Sequence, residues 1–308
     1  MIIEKEYLLA ENKNWRFLRL SISTESHLDS AIGYIKALDL AKSHYENFPI
    51  VSFFVPKRLR KHVAIIYWFA RSADDIADEG NEKPESRLFK LNEFELNFNK
   101  ALIGKHDSAF FSALCETISV LNLAPNHFSD LLYAFKQDVV KTRYGNFEEL
   151  LNYCNHSANP VGRLVLEIFN VRGKNAYNYS DKICTALQLT NFFQDTKLDI
   201  NRGRIYYPQD EMEKYKVTEK MFELNENNLN LQKLVRFNVD RARLLFNEGK
   251  KLLKLLNGGL KLEVNWTVRG GEAILDRITK SNFDVLNKRP VLRKTDFVKL
   301  FFATIFNV

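Results

Sequence analysis

The sequence predicts an all-α protein, and three observations lead to that fold class. Apolar residues recur three and four positions apart along most of the 308 residues. Only 12 Gly and 7 Pro are present, little material for the turns of an all-β chain, while Leu, Lys, Glu, Asn and Phe crowd the sequence. No internal repeat and no shift in composition divides the chain. One helical domain over 26–308 is therefore expected, with 1–25 as an accessory segment.

The elements follow in order. Leu28, Ala31, Ile32, Ile35, Leu38 and Ala41 mark a first helix from His27 to His44, and Pro49 and Pro56 mark the loop after it. A second helix runs from Leu59 to Glu79. Pro84 opens a third, because its missing N–H is not needed in a first turn. Residues 85–103 and 108–121 are two amphipathic helices, and Pro125 opens another that reaches Lys141. Phe147 to Asn170 is apolar on most faces and reads as one central helix kinked at Pro160. Ser180 or Asp181 caps the next, which runs to about Leu198 and stops at Asn201-Arg202-Gly203-Arg204. Residues 208–224 are short and polar, while 228–256 and 264–287 are long helices. The closing helix, Lys294 to Val308, carries Phe297, Leu300, Phe301, Phe302, Ile305 and Phe306. It docks on the body or, with Arg293, Lys294 and Lys299, on an anionic membrane.

The formal charge of +7 attracts anions, whether nucleic acid, acidic lipid or a phosphorylated small molecule. Basic residues are spread along the chain with no zinc-finger or RNP-type run, so nucleic acid is not the expected partner. Cys115, Cys154 and Cys184 form no CxxC pair, which suits a reducing cytoplasm rather than a disulfide framework. The first residues lack the long apolar core of a signal peptide, and no stretch has the length and apolarity of a spanning helix.

Chemistry concentrates in two stripes. Tyr67, Arg71, Asp74 and Asp78 share one helix face, with Asp75 and Glu79 beside them. Like charges four apart weaken a helix by about 0.2–0.5 kcal/mol, so a cation is expected between them. Hard oxygen ligands without His or Cys suit Mg²⁺. A solvated acidic helix end before Gly80 is an equal alternative for this stripe alone. Gln188, Asn191, Asp195 and Asp199 form a second stripe with the same spacing of its acidic pair, which points to one site between two helices. Facing each other, the pairs would hold two or three Mg²⁺ ions that grip a diphosphate and stabilise it as a leaving group. Arg71 and Arg204 would add charge-assisted bonds to phosphate oxygens. Apolar and aromatic helix faces would shelter a hydrocarbon chain and a carbocation. Tyr153 reads first as a core tyrosine and Cys154 as packing, whereas His156 fits either the cavity or the core.

Four segments carry a family likeness: HYENF at 44–48, YWFARSADDIADE at 67–79, YCNHSANPVGRLVL at 153–166 and LQLTNFFQDTKLDINRGRIYYP at 187–208. In these, from about residue 30 to 295, the chain resembles the squalene and phytoene synthases. Within that family it is most similar to the bacterial hydroxysqualene-forming branch. The resemblance implies the isoprenoid synthase fold, a single all-α domain with helices around a central cavity. It implies Mg²⁺-dependent ionisation of presqualene diphosphate, rearrangement of a cyclopropylcarbinyl cation and capture by water, without NADPH. The relatives also offer head-to-head condensation of two prenyl diphosphates as an alternative activity. A non-catalytic, membrane-associated assembly factor of this fold is the alternative of another class. By matching position, Asp74, Asp75, Asp78, Glu79, Asn191, Asp195 and Asp199 would bind the metals. His44, Tyr45, Asn47, Phe48, Tyr67, Arg71, Gln188, Arg204 and Tyr206 would contact substrate, and Tyr153 matches a catalytic tyrosine. Expected partners are the prenyl diphosphate, a sister synthase and a reductase of the same pathway, and the cytoplasmic face of the inner membrane.

Three departures stand out. Leu198 replaces an acid that usually precedes the last Asp of the second motif. Ser157-Ala158-Asn159-Pro160 replaces a smaller run after the Tyr-Cys pair, altering the cavity wall. Gly270-Gly271 would leave room for substrate or the attacking water.

Overall fold

In the computed structural model, which describes residues 24–43, 54–106 and 108–306, every regular element is helical. The first half comprises α1 (Thr24–Ser43), α2 (Lys57–Asp78), α3 (Pro84–Leu102), α4 (Ala109–Leu121), α5 (Asn126–Val140), α6 (Phe147–Ser157) and α7 (Asn159–Ile168). The second comprises α8 (Lys174–Gln194), α9 (Thr196–Asn201), α10 (Gln209–Lys214), α11 (Glu219–Glu223), α12 (Leu229–Gly249), a 3₁₀ turn at Lys250–Lys254, α13 (Gly258–Lys280) and α14 (Lys294–Phe306).

Helix starts follow local chemistry. Ser108, Asn146 and Asn228 each accept a backbone N–H from the first turn of α4, α6 and α12, satisfying donors that have no intrahelical partner. Pro84 stands at the start of α3, as expected.

Two apolar cores meet along α7. The first joins α1 to α5 around Phe69, whose ring lies 5.2 Å from Phe94, 5.2 Å from Phe98 and 5.1 Å from Phe128. The second is built on α8, α12 and α13, with Phe193, Phe246 and Leu275 fully buried. Leu164 and Ile168 face the first core and Leu166 the second, so α7 cements the halves.

Several boundaries differ from the sequence reading. The expected kinked helix over 147–170 is two helices, because the chain turns at Ala158 and Pro160 starts α7 where its missing N–H is harmless. Asn159 is buried there, donating to Asn155 and accepting from Thr185. The next helix begins at Lys174 rather than at Ser180 or Asp181. Ser180 is buried in the α7–α8 contact and Asp181 pairs with Arg163, so neither is a cap. A Cβ on Gly162 would lie 2.5 Å from the Ser180 hydroxyl and 2.4 Å from the Cys184 sulfur, so glycine alone permits this approach. The helix expected over 228–256 gives way to a 3₁₀ turn at Lys250, and α13 spans 258–280 rather than 264–287.

Candidate active site

The first acidic stripe finishes at a helix C-terminus, and a helix C-terminus falls within the second. Helix α2 ends on Asp78 with Glu79 as its cap, and α8 ends on Gln194 with Asp195 as its cap. The C-terminus is the negative end of the helix dipole, where each added anion costs about 0.3–1 kcal/mol. Neither last turn carries a basic residue of its own. Cations must come from elsewhere, and arginines supply them.

Arg71 contacts Asp74 at 3.2 Å, Asp75 at 2.6 Å and Glu79 at 2.5 Å. Arg204 forks onto Asp78 at 2.5 and 3.2 Å and also donates to the Asp138 carbonyl. Arg289 donates to Asp195 at 2.7 Å. Arg87, from α3, donates to the Ala77 and Gly80 carbonyls and closes the end of α2. Arg71 and Arg204, expected to await phosphate, are thus held by carboxylates.

Arg204 is placed by a strap over 203–207. Its N–H donates to the Asp199 carbonyl at 2.8 Å and the Ile205 N–H to the Thr142 carbonyl at 3.0 Å, tying α9 to the end of α5. This brings Asp78, Asp138, Asp199 and Arg204 into one electrostatic cluster.

Ionisation is opposed here. Burial, then the neighbouring Asp195, pushes the Asp199 carboxyl up to about 7 despite Arg204 and Arg202. Burial likewise raises Asp74, with Arg71 opposing and Asp78 adding to the rise. For Asp78 burial also works upward, but Arg204 and Arg202 outweigh it and hold the group below the usual carboxylate range. Such a cluster stores unfavourable negative charge that a divalent cation would relieve.

Every candidate metal ligand here is a carboxylate or amide oxygen, which fits Mg²⁺. Among the described residues no three acidic, His or Cys side chains are already gathered around one point. The arginines occupy the carboxylates instead.

Behind the charges stands an aromatic wall. Tyr206 stacks on Phe192 at 3.7 Å, and Tyr153 and Tyr144 lie 6.2 and 5.8 Å from the Tyr206 ring. Phe192, Asp199, Ile200, Arg204 and Tyr206 line a cavity at this junction. The Tyr153 hydroxyl donates to Asp138 at 3.0 Å. Burial pushes Asp138 up to about 7, with Tyr153 and Arg204 pulling the other way. Burial, reinforced by Asp138, carries the Tyr153 phenol well above its ordinary value, so it stays protonated.

The remaining sequence candidates fall as follows. Tyr67 lies beside Arg71, Asp75 and Asp74. Gln188 is half-buried and Asn191 exposed, while their neighbours Leu189, Phe192 and Phe193 are buried. Asp195 and Asp199 do not share one helix, because the backbone breaks at Asp195 between α8 and α9. Leu198 is exposed. His156 bonds the Asn152 carbonyl and packs on Tyr133 at the surface rather than entering the cavity. The space expected at Gly271 is filled, since a Cβ there would lie 2.5 Å from Phe246; only Gly270 faces open space. His44, Tyr45, Asn47 and Phe48, like residues 1–23, lie outside the described residues.

Sequence reasoning missed Asp138, Tyr144, Phe192 and Arg289. Asp138 had one signal, a carboxylate seven residues after buried Leu131 and so on the apolar stripe of α5.

Fold and site together define an all-α enzyme with a cluster of carboxylates bridged by arginines in front of an aromatic wall. The squalene/phytoene synthase family matches residues 41–296, and the chain belongs to that family. A hydroxysqualene synthase of Sinorhizobium fredii is 34% identical over 212 residues, covering 68% of this chain and 70% of that one. One of Rhodopseudomonas palustris is 30% identical over 258 residues, covering 82% and 85%. A squalene synthase of Alicyclobacillus acidocaldarius superposes with a TM-score of 0.78 at 35% identity, over 85% of this chain and 97% of that one. A dehydrosqualene synthase superposes with a TM-score of 0.81 at 20% identity, over 91% and 98%, a likeness of fold alone. The fold is the all-α isoprenoid synthase fold.

Proposed function

We propose that the chain converts presqualene diphosphate to hydroxysqualene, with residues 26–308 as the catalytic domain and 1–25 as an accessory segment. The observation that carries the reading is the convergence of Asp78 from one stripe and Asp199 from the other on Arg204, directly before Phe192 and Tyr206. The relatives named hydroxysqualene synthase choose the substrate and product.

Asp74, Asp75, Asp78, Glu79, Asn191, Asp195 and Asp199 would hold two or three Mg²⁺ ions, which would supply charge neutralisation for the diphosphate. Arg71, Arg204 and Arg289, set among these carboxylates, donate charge-assisted hydrogen bonds to the phosphate oxygens. Tyr67 and Gln188 flank the diphosphate, and His44, Tyr45, Asn47 and Phe48 complete the substrate site. Phe192, Tyr206, Tyr144 and Tyr153 present ring faces to the carbocation, each worth up to about 2 kcal/mol when desolvated. Asp138, held by the Tyr153 hydroxyl and near neutral pKa, accepts the proton released when water captures the cation. NADPH has no part in this sequence. Substrate and product are hydrocarbon-rich, so the enzyme works in the cytoplasm at the surface of the inner membrane, between a sister synthase and a reductase.

Incubation with presqualene diphosphate and Mg²⁺, without NADPH, is expected to yield hydroxysqualene and free diphosphate. Accumulation of presqualene diphosphate from farnesyl diphosphate, with no hydroxysqualene from added presqualene diphosphate, would replace this reading with head-to-head condensation. No turnover of either substrate would leave the non-catalytic reading.

A further inference from the structure

Helix α14 lies along α13, held at its start by Arg277 on Asp296 at 2.6 Å and further on by Phe301 against Trp266 and Phe54. Thr304 is fully buried on that docked side. The opposite side presents Val298, Phe302 and Ile305, which are 55, 52 and 41% exposed. These positions are four and three apart and so form a continuous stripe. Phe297, 46% exposed, widens it. Lys299 is the one charged residue in its midst, because Asp296 is turned to Arg277.

The surroundings of this stripe are basic. Phe54, whose ring stacks on Phe301 at 5.8 Å, stands three residues before α2, and residues 54–61 hold four basic residues and no acid. The Phe54 carbonyl lies so close to Gly259 that a Cβ there would sit 2.4 Å from it. Residues 250–261, which include that glycine, again hold four basic residues and no acid. Lys57, Arg58, Lys251, Lys254, Arg293 and Lys299 are exposed.

We propose that this face, the α14 stripe with the basic start of α2 beside it, docks the protein on an anionic lipid bilayer. The inference deepens the reading of a hydrocarbon-rich substrate, which must be exchanged with a membrane, by naming the surface that meets it. An exposed apolar helix stripe bordered by Lys and Arg suits the acyl–headgroup boundary of an anionic leaflet. The charge favours a bilayer over a second copy of this chain, which would bring the same basic tracts together. Among the described residues no helix is long and apolar enough to cross a membrane, and the stripe would lie in the interface rather than span it.

The test is co-sedimentation of the full chain with vesicles of phosphatidylcholine alone and of phosphatidylcholine with phosphatidylglycerol in equal parts. Binding is expected to the mixed vesicles and to fall with added salt as charges are screened. Val298→Asp should weaken it about tenfold or more. Lys57→Gln with Arg58→Gln should weaken it about 25-fold, taking about fivefold for each charge. Val298→Asp, at a position 55% exposed, should retain the wild-type melting temperature and detergent-phase turnover, which separates docking from folding and from chemistry. Equal binding to both vesicles, binding to neither, or a wild-type dimer that Val298→Asp turns into a monomer would overturn the proposal. Failure of the activity assay alone would touch only the proposed function.

Discussion

Asp138 illustrates the tension built into individual residues of the site. Its carboxyl titrates near 7 in the folded chain because burial dominates, whereas an unfolded Asp titrates near 3.8. The folded state therefore binds the extra proton, and its stability falls as pH rises from about 4 to about 7. Asp138→Asn removes that dependence. Without metal, its melting temperature should exceed wild type by a few degrees at pH 8 and differ little at pH 4. The same change should lower hydroxysqualene formation by about 100-fold or more, because it removes the proposed proton acceptor. Thermal melts and product assays on one preparation check both. A variant equally stable at pH 8 and fully active would remove Asp138 from the account.

Elements hold the site by contacts that sequence patterning does not announce. Gln194 donates to the Pro290 carbonyl at 2.8 Å, and the neighbouring Arg289 reaches Asp195. The strap after α13 is thereby pinned across the end of α8. Gln194→Ala should free it and raise the KM for presqualene diphosphate several-fold with a smaller change in kcat. Equal loss in kcat and no change in KM would assign Gln194 to the chemical step instead. At the α7–α8 crossing, Gly162→Ala forces a methyl group onto Ser180 and Cys184. Such overpacking costs about 1–3 kcal/mol, readable as a lowered urea midpoint. Helix existence and the two acidic stripes were legible in the sequence, because apolar spacing and like charges four apart are local patterns. The break at Asp195, the split at Ala158 and the role of Asp138 were not, since each depends on a partner far along the chain: Arg289, Thr185 and Tyr153. Gly271 misled for the same reason, its missing side chain being matched by Phe246.

At the scale of the whole molecule, a single buried acid links the halves away from the site. Glu167 of α7 accepts the Ala124 N–H at 2.9 Å, the Tyr177 hydroxyl at 2.9 Å and His127 at 3.3 Å, with Arg172 also at 3.3 Å. Burial alone would raise its pKa, but these donors prevail and lower it. Its contribution is therefore present above about pH 4.5 and lost as pH falls through the depressed folded value. Glu167→Ala leaves buried His127 without this acceptor and removes the bonds to Ala124 and Tyr177, and should cost about 3–5 kcal/mol in denaturant unfolding at pH 7. Because none of these partners of Glu167 bonds Arg204 or Asp78, the KM of the folded fraction should stay unchanged.

The central claim is that the stripes ending at Asp78 and Asp199 form one diphosphate-ionising site. Diphosphate release from presqualene diphosphate should be measured for Asp78→Asn, Asp199→Asn and the double variant. If the two carboxylates act as one unit, each single change should abolish nearly all release and the double should be no slower than the slower single. A double variant slower by the product of two independent losses would mean two separate functions and would contradict the account.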